Sequence, residues 1–362
     1  MKIGILTFHN AYNFGAVLQA YALQNYLESQ NCQVEIIDYR NIAIEDNYNL
    51  LQLKRYKRRN ILKVLLSIVN NAYKVVKFNQ FRKDAYSLLK LSERVFEIQD
   101  KNIIDKDAII IGSDQLWNKK YTKAVDPFYW GKFADSSALK VISYAVSIDA
   151  NYISASDLKY ICECMKNFDS LSVRESDSVK FLSSLTNKKI HVSLDPTLLV
   201  EREMWLSLIG KTSPYKDSPY IAVYAILERK KVIENAKKLA KALHKRLIII
   251  SPIAQVSLFN GDVKPTRLSD FLSIIAYADF VLTSSFHGLA FSLIFHKDFY
   301  VMGDSSKNER MKSLLCQLGL TSRFIEEMYI NKLSSIDYVK VEKKIGALRM
   351  ESQKYLLNSI YK

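Results

Sequence analysis

His287 interrupts one of the most apolar stretches of the chain, TSSFHGLAFSLIF at residues 283–295. A buried segment carries such polar groups when they cap a helix, hold a ligand or do chemistry. An imidazole titrates near neutral pH, so His287 is a candidate acid/base. Ser284 and Ser285 precede it and suit a helix cap or contacts to a bound anion. Arg174 follows the apolar run SLSV and offers a two-pronged clamp for a carboxylate or phosphate, with Glu175 beside it. In FHNAYNFG, Asn10 and Asn13 supply amides, and Gly15 allows close approach to the backbone. In GSDQLWN, Ser113, Asp114, Gln115, Trp117 and Asn118 combine polar groups with an aromatic face, a set that suits a sugar. Ser113 and Asp114 equally suit an Asx-type turn and helix cap.

These residues need a scaffold that brings distant loops together. KIGILT reads as a strand and FGAVLQAYALQNYLESQ as a helix, with Val17, Leu18, Tyr21, Ala22 and Leu27 near one face. VEIIDY, AIIIGS, VISYAVS and SLSV read as further strands, alternating with helical patterns that include 157–168 and DSVKFLSSL. Such β-α alternation predicts a parallel sheet covered by helices. The pattern breaks over residues 201–218 and restarts at YIAVYAI. It continues through a helix at 230–244, RLIIISP, a helix at 268–277, ADFVLT, LAFSLIF, DFYVM and NERMKSLLCQLGL. The fold class is therefore α/β, with two Rossmann-like domains facing across a cleft. The expected division is 1–205, 218–333 and a helical tail at 334–362, with a basic helical insertion at 47–90. Each polar loop then falls at the carboxyl end of a strand, where open α/β sheets bind ligands. His287 falls in the first turn of a helix, whose backbone N–H groups favour an anion and disfavour imidazolium.

A chain of 362 residues exceeds the usual single core, and 49% hydrophobic with 25% charged residues fits a globular protein. Cys32, Cys162, Cys164 and Cys316 are too scattered for a disulfide framework, and the C-x-C lacks a second pair for zinc. No carboxylate cluster demands a divalent cation, and FGAVLQ is not a dinucleotide fingerprint, so no cofactor is expected. MKIGILTFHN turns polar too soon for a signal peptide, and no apolar run spans a bilayer, so a cytoplasmic protein is expected. The formal charge of +15 is concentrated: residues 47–83 hold ten Lys or Arg and no Asp or Glu. That stretch reads either as a solvated helical face or as a basic amphipathic surface for anionic lipid at the inner face of the membrane. No nucleic-acid recognition motif accompanies it.

GILTFHNAYNFGAVLQAYALQ, IIIGSDQLWN, SLSVRES, SLDPTLL and TSSFHGLAFSLIF, in this order and spacing, resemble the polysaccharide pyruvyl transferase family over roughly residues 3–300. The resemblance implies a GT-B-like fold whose C-terminal helix returns to the first domain, with the acceptor side in the first domain and the donor side in the second. It implies that phosphoenolpyruvate (PEP) donates a pyruvyl group to a sugar of a surface polysaccharide, forming a ketal and releasing phosphate. By position, Arg174 matches an arginine associated with PEP and His287 the histidine proposed as acid/base. The family pattern carries Arg-Leu-His where this chain has Ser285-Phe286-His287, so a second arginine is missing there. Lys307 or Arg310, in SSKNERMKSLL, is expected to supply that charge. Two other readings share the fold: a glycosyltransferase using a nucleotide sugar, and an inactive scaffold of a polysaccharide assembly complex.

Overall fold

A computed structural model of the chain describes residues 1–47, 61–133, 139–210, 213–216, 218–304, 308–328 and 334–361. KIGIL, QVEIIDY and AIIIG are apolar enough to be covered on both sides, and they form the centre of a parallel sheet. That sheet contains β1 (Lys2–Leu6), β2 (Gln33–Tyr39), β3 (Leu91–Val95), β4 (Ala108–Trp117), β5 (Lys140–Ile148), β6 (Leu171–Val173) and β7 (Ile190–Val192). Its spatial order is β3-β2-β1-β4-β5-β6-β7. A second parallel sheet holds β8 (Tyr220–Tyr224), β9 (Arg246–Ile250), β10 (Phe280–Thr283), β11 (Asp298–Met302) and β12 (Phe324–Ile325) in the order β12-β11-β10-β8-β9.

The helices of the first half are α1 (Phe14–Ser29), α2 (Ile42–Asn47), α3 (Ile61–Leu88), α4 (Lys101–Ile104), α5 (Lys119–Thr122), α6 (Ala155–Met165), α7 (Ser176–Ser183) and α8 (Arg202–Leu208). Those of the second half are α9 (Arg229–Ala242), α10 (Leu268–Ala276), α11 (Phe286–Ile294), α12 (Glu309–Leu318) and α13 (Tyr338–Tyr361). Strand order reverses between β1 and β4 in one sheet and between β8 and β10 in the other. Each reversal opens a crevice at the strands' carboxyl ends.

A continuous apolar layer fixes the two units together. Phe14 of α1 stacks on Phe271 of α10 with ring centroids 4.5 Å apart, and Trp205 of α8 meets Phe291 of α11 edge-on at 5.0 Å. Val17, Leu18, Phe286 and Leu289 belong to the same buried cluster. The helix α13 starts on the second unit, where Tyr338 Oη donates to Ser292 O at 3.2 Å. It ends on the first, where Tyr355 Oη donates to Ser143 O at 2.9 Å and Lys140 Nζ donates to Ile360 O at 3.0 Å.

Two features differ from the pattern read in the sequence. The segment SDQLW, expected as a loop, continues β4 to Trp117 with a register shift after Asp114, because Leu116 and Trp117 are apolar enough to stay buried. The strand β3 was not expected, since LSERV sits at the sheet edge and carries charges outward. All four cysteines are free thiols. Among the described residues no helix is long and apolar enough to cross a membrane.

Candidate functional site

The two crevices face each other around a cavity of about 250 Å³. Asn13, Asp114 and Gln115 line it from the first unit; Ser284, Ser285, His287 and Arg310 line it from the second. Three helix N-termini point here. Asn13 caps α1, its Oδ1 accepting from Gly15 N at 2.9 Å and Ala16 N at 3.3 Å. Ser285 caps α11, its Oγ accepting from Gly288 N at 3.5 Å. The start of α12 has no side-chain cap, and its first turn carries Arg310.

Local packing at β1 and β4 holds the first unit's share in place. Gln19 Nε2 donates to Thr7 Oγ1 at 2.8 Å, Thr7 Oγ1 donates to Ser113 O at 3.1 Å, and Ser113 N donates to Gln19 Oε1 at 3.1 Å. The closed ring of bonds joins α1 to the ends of both strands.

His287 is the second residue of α11 and is buried. A Cβ on Gly15 would stand 1.9 Å from His287 Nδ1, so the imidazole packs directly on the first turn of α1. Nε2 is buried without a hydrogen bond and lies 3.8 Å from Asp195 Oδ2. Burial, with help from Arg174 and Arg310, holds its pKa below the usual histidine value against the pull of Asp195 and Asp114. The protein's own groups therefore favour the neutral ring at pH 7.

Arg174 lies beneath the cleft. Its Nη1 donates to Asp195 Oδ2 at 2.7 Å and its Nη2 to Ser147 Oγ at 2.5 Å; Glu175 Oε1 is 3.5 Å and Asp114 Oδ1 3.8 Å away. The guanidinium also stacks over Phe286, 4.4 Å from the ring centroid. Asp195 further accepts from Thr197 N at 3.0 Å and Thr197 Oγ1 at 2.7 Å. Burial would raise its pKa, but His287, Arg174 and these bonds outweigh burial and hold it low. Arg310, by contrast, faces the cavity with no ion pair among the described residues. Burial and the like charge of Arg174 push its pKa down, though an arginine so shifted stays charged at neutral pH.

The remaining sequence candidates divide clearly. Trp117 stacks on Trp130 at 4.6 Å and donates to Tyr129 O at 2.7 Å, so it is a core residue and not a sugar platform. Asn118 is a buried cap of α5, accepting from Lys120 N at 3.0 Å. Ser113 is 0% exposed, donates to Ala145 O at 2.6 Å and lies outside the cavity wall. Asn10 donates to Glu45 at 3.2 Å and accepts from Tyr86 at 2.8 Å, outside the cavity wall. Ser284 lines the cavity while its Oγ donates to Leu227 O at 2.6 Å. Lys307 lies outside the described residues. Asp195, which links Arg174 to His287, was not singled out from the sequence, although SLDPTLL belonged to the ordered motif set.

The two facing parallel sheets, with a cavity between their carboxyl ends, define a two-unit α/β protein of GT-B-like architecture. The UDP-GlcNAc 2-epimerase of Methanocaldococcus jannaschii, solved with UDP-GlcNAc and UDP, superposes with a TM-score of 0.50 at 12% identity over 96% of this chain and 93% of that one. The Neisseria meningitidis UDP-GlcNAc 2-epimerase gives 0.49 at 12% identity over 99% and 94%, and the glycosyltransferase SnogD from Streptomyces nogalater 0.45 at 9% over 97% and 95%. At such identities the likeness speaks of fold alone. No curated protein matches the chain in sequence. A family model described as polysaccharide pyruvyl transferase matches residues 13–306, and the chain belongs to that family.

Proposed function

We propose that the chain moves the pyruvyl group of PEP onto two hydroxyls of one sugar, in a surface polysaccharide or its lipid-linked precursor. The observation that carries this is the convergence of three helix N-termini and Arg310, which has no ion pair among the described residues, around a buried His287 whose Nε2 has no hydrogen bond among them. A small molecule holding a carboxylate and a phosphate finds there positive potential without needing a metal. Arg310 takes the place of the arginine that the family carries at Ser285. Arg174 acts from below, fixing Asp195 opposite His287.

PEP brings negative charge beside His287 and raises its pKa, so the ring picks up a proton as PEP binds. The imidazolium gives that proton to the methylene carbon, leaving an oxocarbenium-like centre at the adjacent carbon. One sugar hydroxyl attacks this centre and passes its proton to the now neutral His287. Phosphate leaves with the C–O bond pair, and the second hydroxyl closes the ketal. The first hydroxyl's proton thus replaces on His287 the one given to the methyl group, and the second hydroxyl's proton leaves on phosphate. Asp195 stabilises the imidazolium at each stage.

The direct test is PEP binding. PEP at 100 times its Kd should stabilise the protein by about 2.7 kcal/mol, with UDP-sugars giving none. Calorimetry at pH 7.5 in two buffers of different ionisation enthalpy should show net proton uptake, and affinity should weaken as pH rises. His287→Gln should abolish the uptake. Stabilisation by UDP-sugars and not by PEP would favour a glycosyltransferase, and the absence of both would favour a scaffold.

The enzyme also approaches an anionic membrane through α3. Leu65, Ile68, Val69, Val75 and Val76 are exposed along this helix, with Lys74, Lys77 and Lys83 on it. Asn70 Oδ1 accepts from Leu258 N at 2.9 Å, which brings exposed Leu258 and Phe259 of the second unit next to the same stripe. Apolar side chains turned outward among cations suit a lipid interface.

A further inference from the structure

A second hollow of about 240 Å³ adjoins the cleft and shares Gln115 and Arg310 with it. It opens between the starts of α7 and α12, which touch where Ser176 Oγ and Ser313 Oγ are 3.3 Å apart. Ser147, Glu175, Asp177, Ser178 and Phe181 complete the part of its wall that matters here. Asp149, Glu175, Asp177 and Glu309 outnumber the single cation Arg310, so the hollow repels an anion such as PEP.

The wall contains an unanswered acceptor. Glu175 is 3% exposed; its Oε1 accepts from Ser147 Oγ at 2.5 Å and lies 3.5 Å from Arg174 Nε, while Oε2 is buried without any hydrogen bond. Such an orphan is unfavourable unless a ligand donates to it. Burial raises the pKa of this carboxyl despite the nearby arginines, in keeping with a group short of donors. The set of carboxylates, an amide and hydroxyls beside the Phe181 ring matches the alternating polar edge and apolar face of a pyranose.

We propose that this second hollow seats the accepting hexose, with Glu175 Oε2 receiving a hydrogen bond from a ring hydroxyl and Arg310 marking the border between sugar and PEP. The assignment rests on the pyruvyl transfer argued above, but its test can fail separately. Sugar binding is followed by saturation-transfer NMR on the full chain, without PEP, using methyl glycosides of galactose, glucose and mannose. At least one should give a signal with the wild type, reduced fivefold or more by Glu175→Gln and by Ser178→Leu, which fills the hollow from α7. PEP should stabilise Ser178→Leu as it does the wild type, and Glu175→Gln at least as well, since that change removes a negative charge near Arg310. Should Glu175→Gln fail to fold, Ser178→Leu alone decides. No signal with any glycoside, or a signal untouched by folded Ser178→Leu, overturns the assignment. Failure of PEP to stabilise the wild type overturns the donor and leaves the sugar result to stand or fall by itself.

Discussion

The cleft and the helix α3 depart from the ordinary inside–outside arrangement in opposite directions. The cleft buries polar atoms without partners, His287 Nε2 and Glu175 Oε2 among them. Along α3, Val69 at 51% exposure and Val76 at 53% turn apolar surface to water, and Phe259 beside them is 60% exposed. Each arrangement is unfavourable in the isolated protein, and each is relieved by something the protein lacks when alone. On the proposed reading a small polar ligand would answer the first and a lipid surface the second. The contrast also separates their tolerances: polar atoms in the cleft must meet a ligand within hydrogen-bond geometry, whereas a stripe that met lipid would need only area and sign of charge.

The largest effect should come from the cleft. His287→Ala should lower turnover about 10²–10⁴-fold while the fold survives. Near-normal turnover in a well-folded variant would remove His287 from the chemistry. Arg174 differs in kind, because Asp195 is left buried and unpaired when it goes. Arg174→Ala should reduce stability by about 3–5 kcal/mol in denaturant unfolding. Arg174→Lys should retain part of the stability yet lower activity, since a point charge cannot span Asp195 and Ser147 together. A stable Arg174→Ala with weakened PEP binding would instead make it a direct clamp.

Much of this arrangement was legible in the sequence, and the exceptions share a cause. Period and apolar runs revealed the parallel strands, and an inserted polar TSSFH pointed to a strand-end site. Trp117 misled because WN after a polar run looks the same whether the strand has ended or continues. Only the apolar pocket around Trp130 and Phe168, distant in sequence, decides that it is buried. Asp195 escaped notice for a related reason: its importance comes from Arg174, His287 and Ser113, three residues contributed by three distant segments. Arg310 was named from the sequence because an arginine is missing at Ser285, and it lines the cavity. The outward apolar stripe of α3 was only half visible. The cations stood out, but which face the valines take depends on Phe78 and Phe81 packing against Tyr12.

Arg310 provides an intermediate effect. Charge-assisted hydrogen bonds are worth about 1.5–3 kcal/mol, so Arg310→Ala should weaken PEP binding by roughly 10–150-fold with little change in stability. The stability should hold because the guanidinium has no ion pair to lose among the described residues. Arg310→Lys should recover part of the affinity. Unchanged PEP affinity in Arg310→Ala would mean that the helix N-termini alone hold the anion.

The smallest effects should be at α3, where many weak contacts share the load. Each cation near an anionic leaflet contributes about 1 kcal/mol, and Lys74, Lys77 and Lys83 lie on this helix. Sedimentation with anionic liposomes at low salt should therefore capture the protein, neutral liposomes should capture less, and rising salt should release it. Salt alone cannot distinguish a solvated basic face from an inserted one, so the apolar stripe needs its own variant. Val76→Glu and Phe259→Ser should each lower binding a few-fold, and the pair more than either, because both side chains would enter the same interface from different units. Neither touches the cavity, so turnover on a free glycoside should stay at the wild-type level. Capture by anionic liposomes that both variants leave untouched would reduce α3 to a purely electrostatic contact, and no capture at all would make a soluble acceptor the better fit.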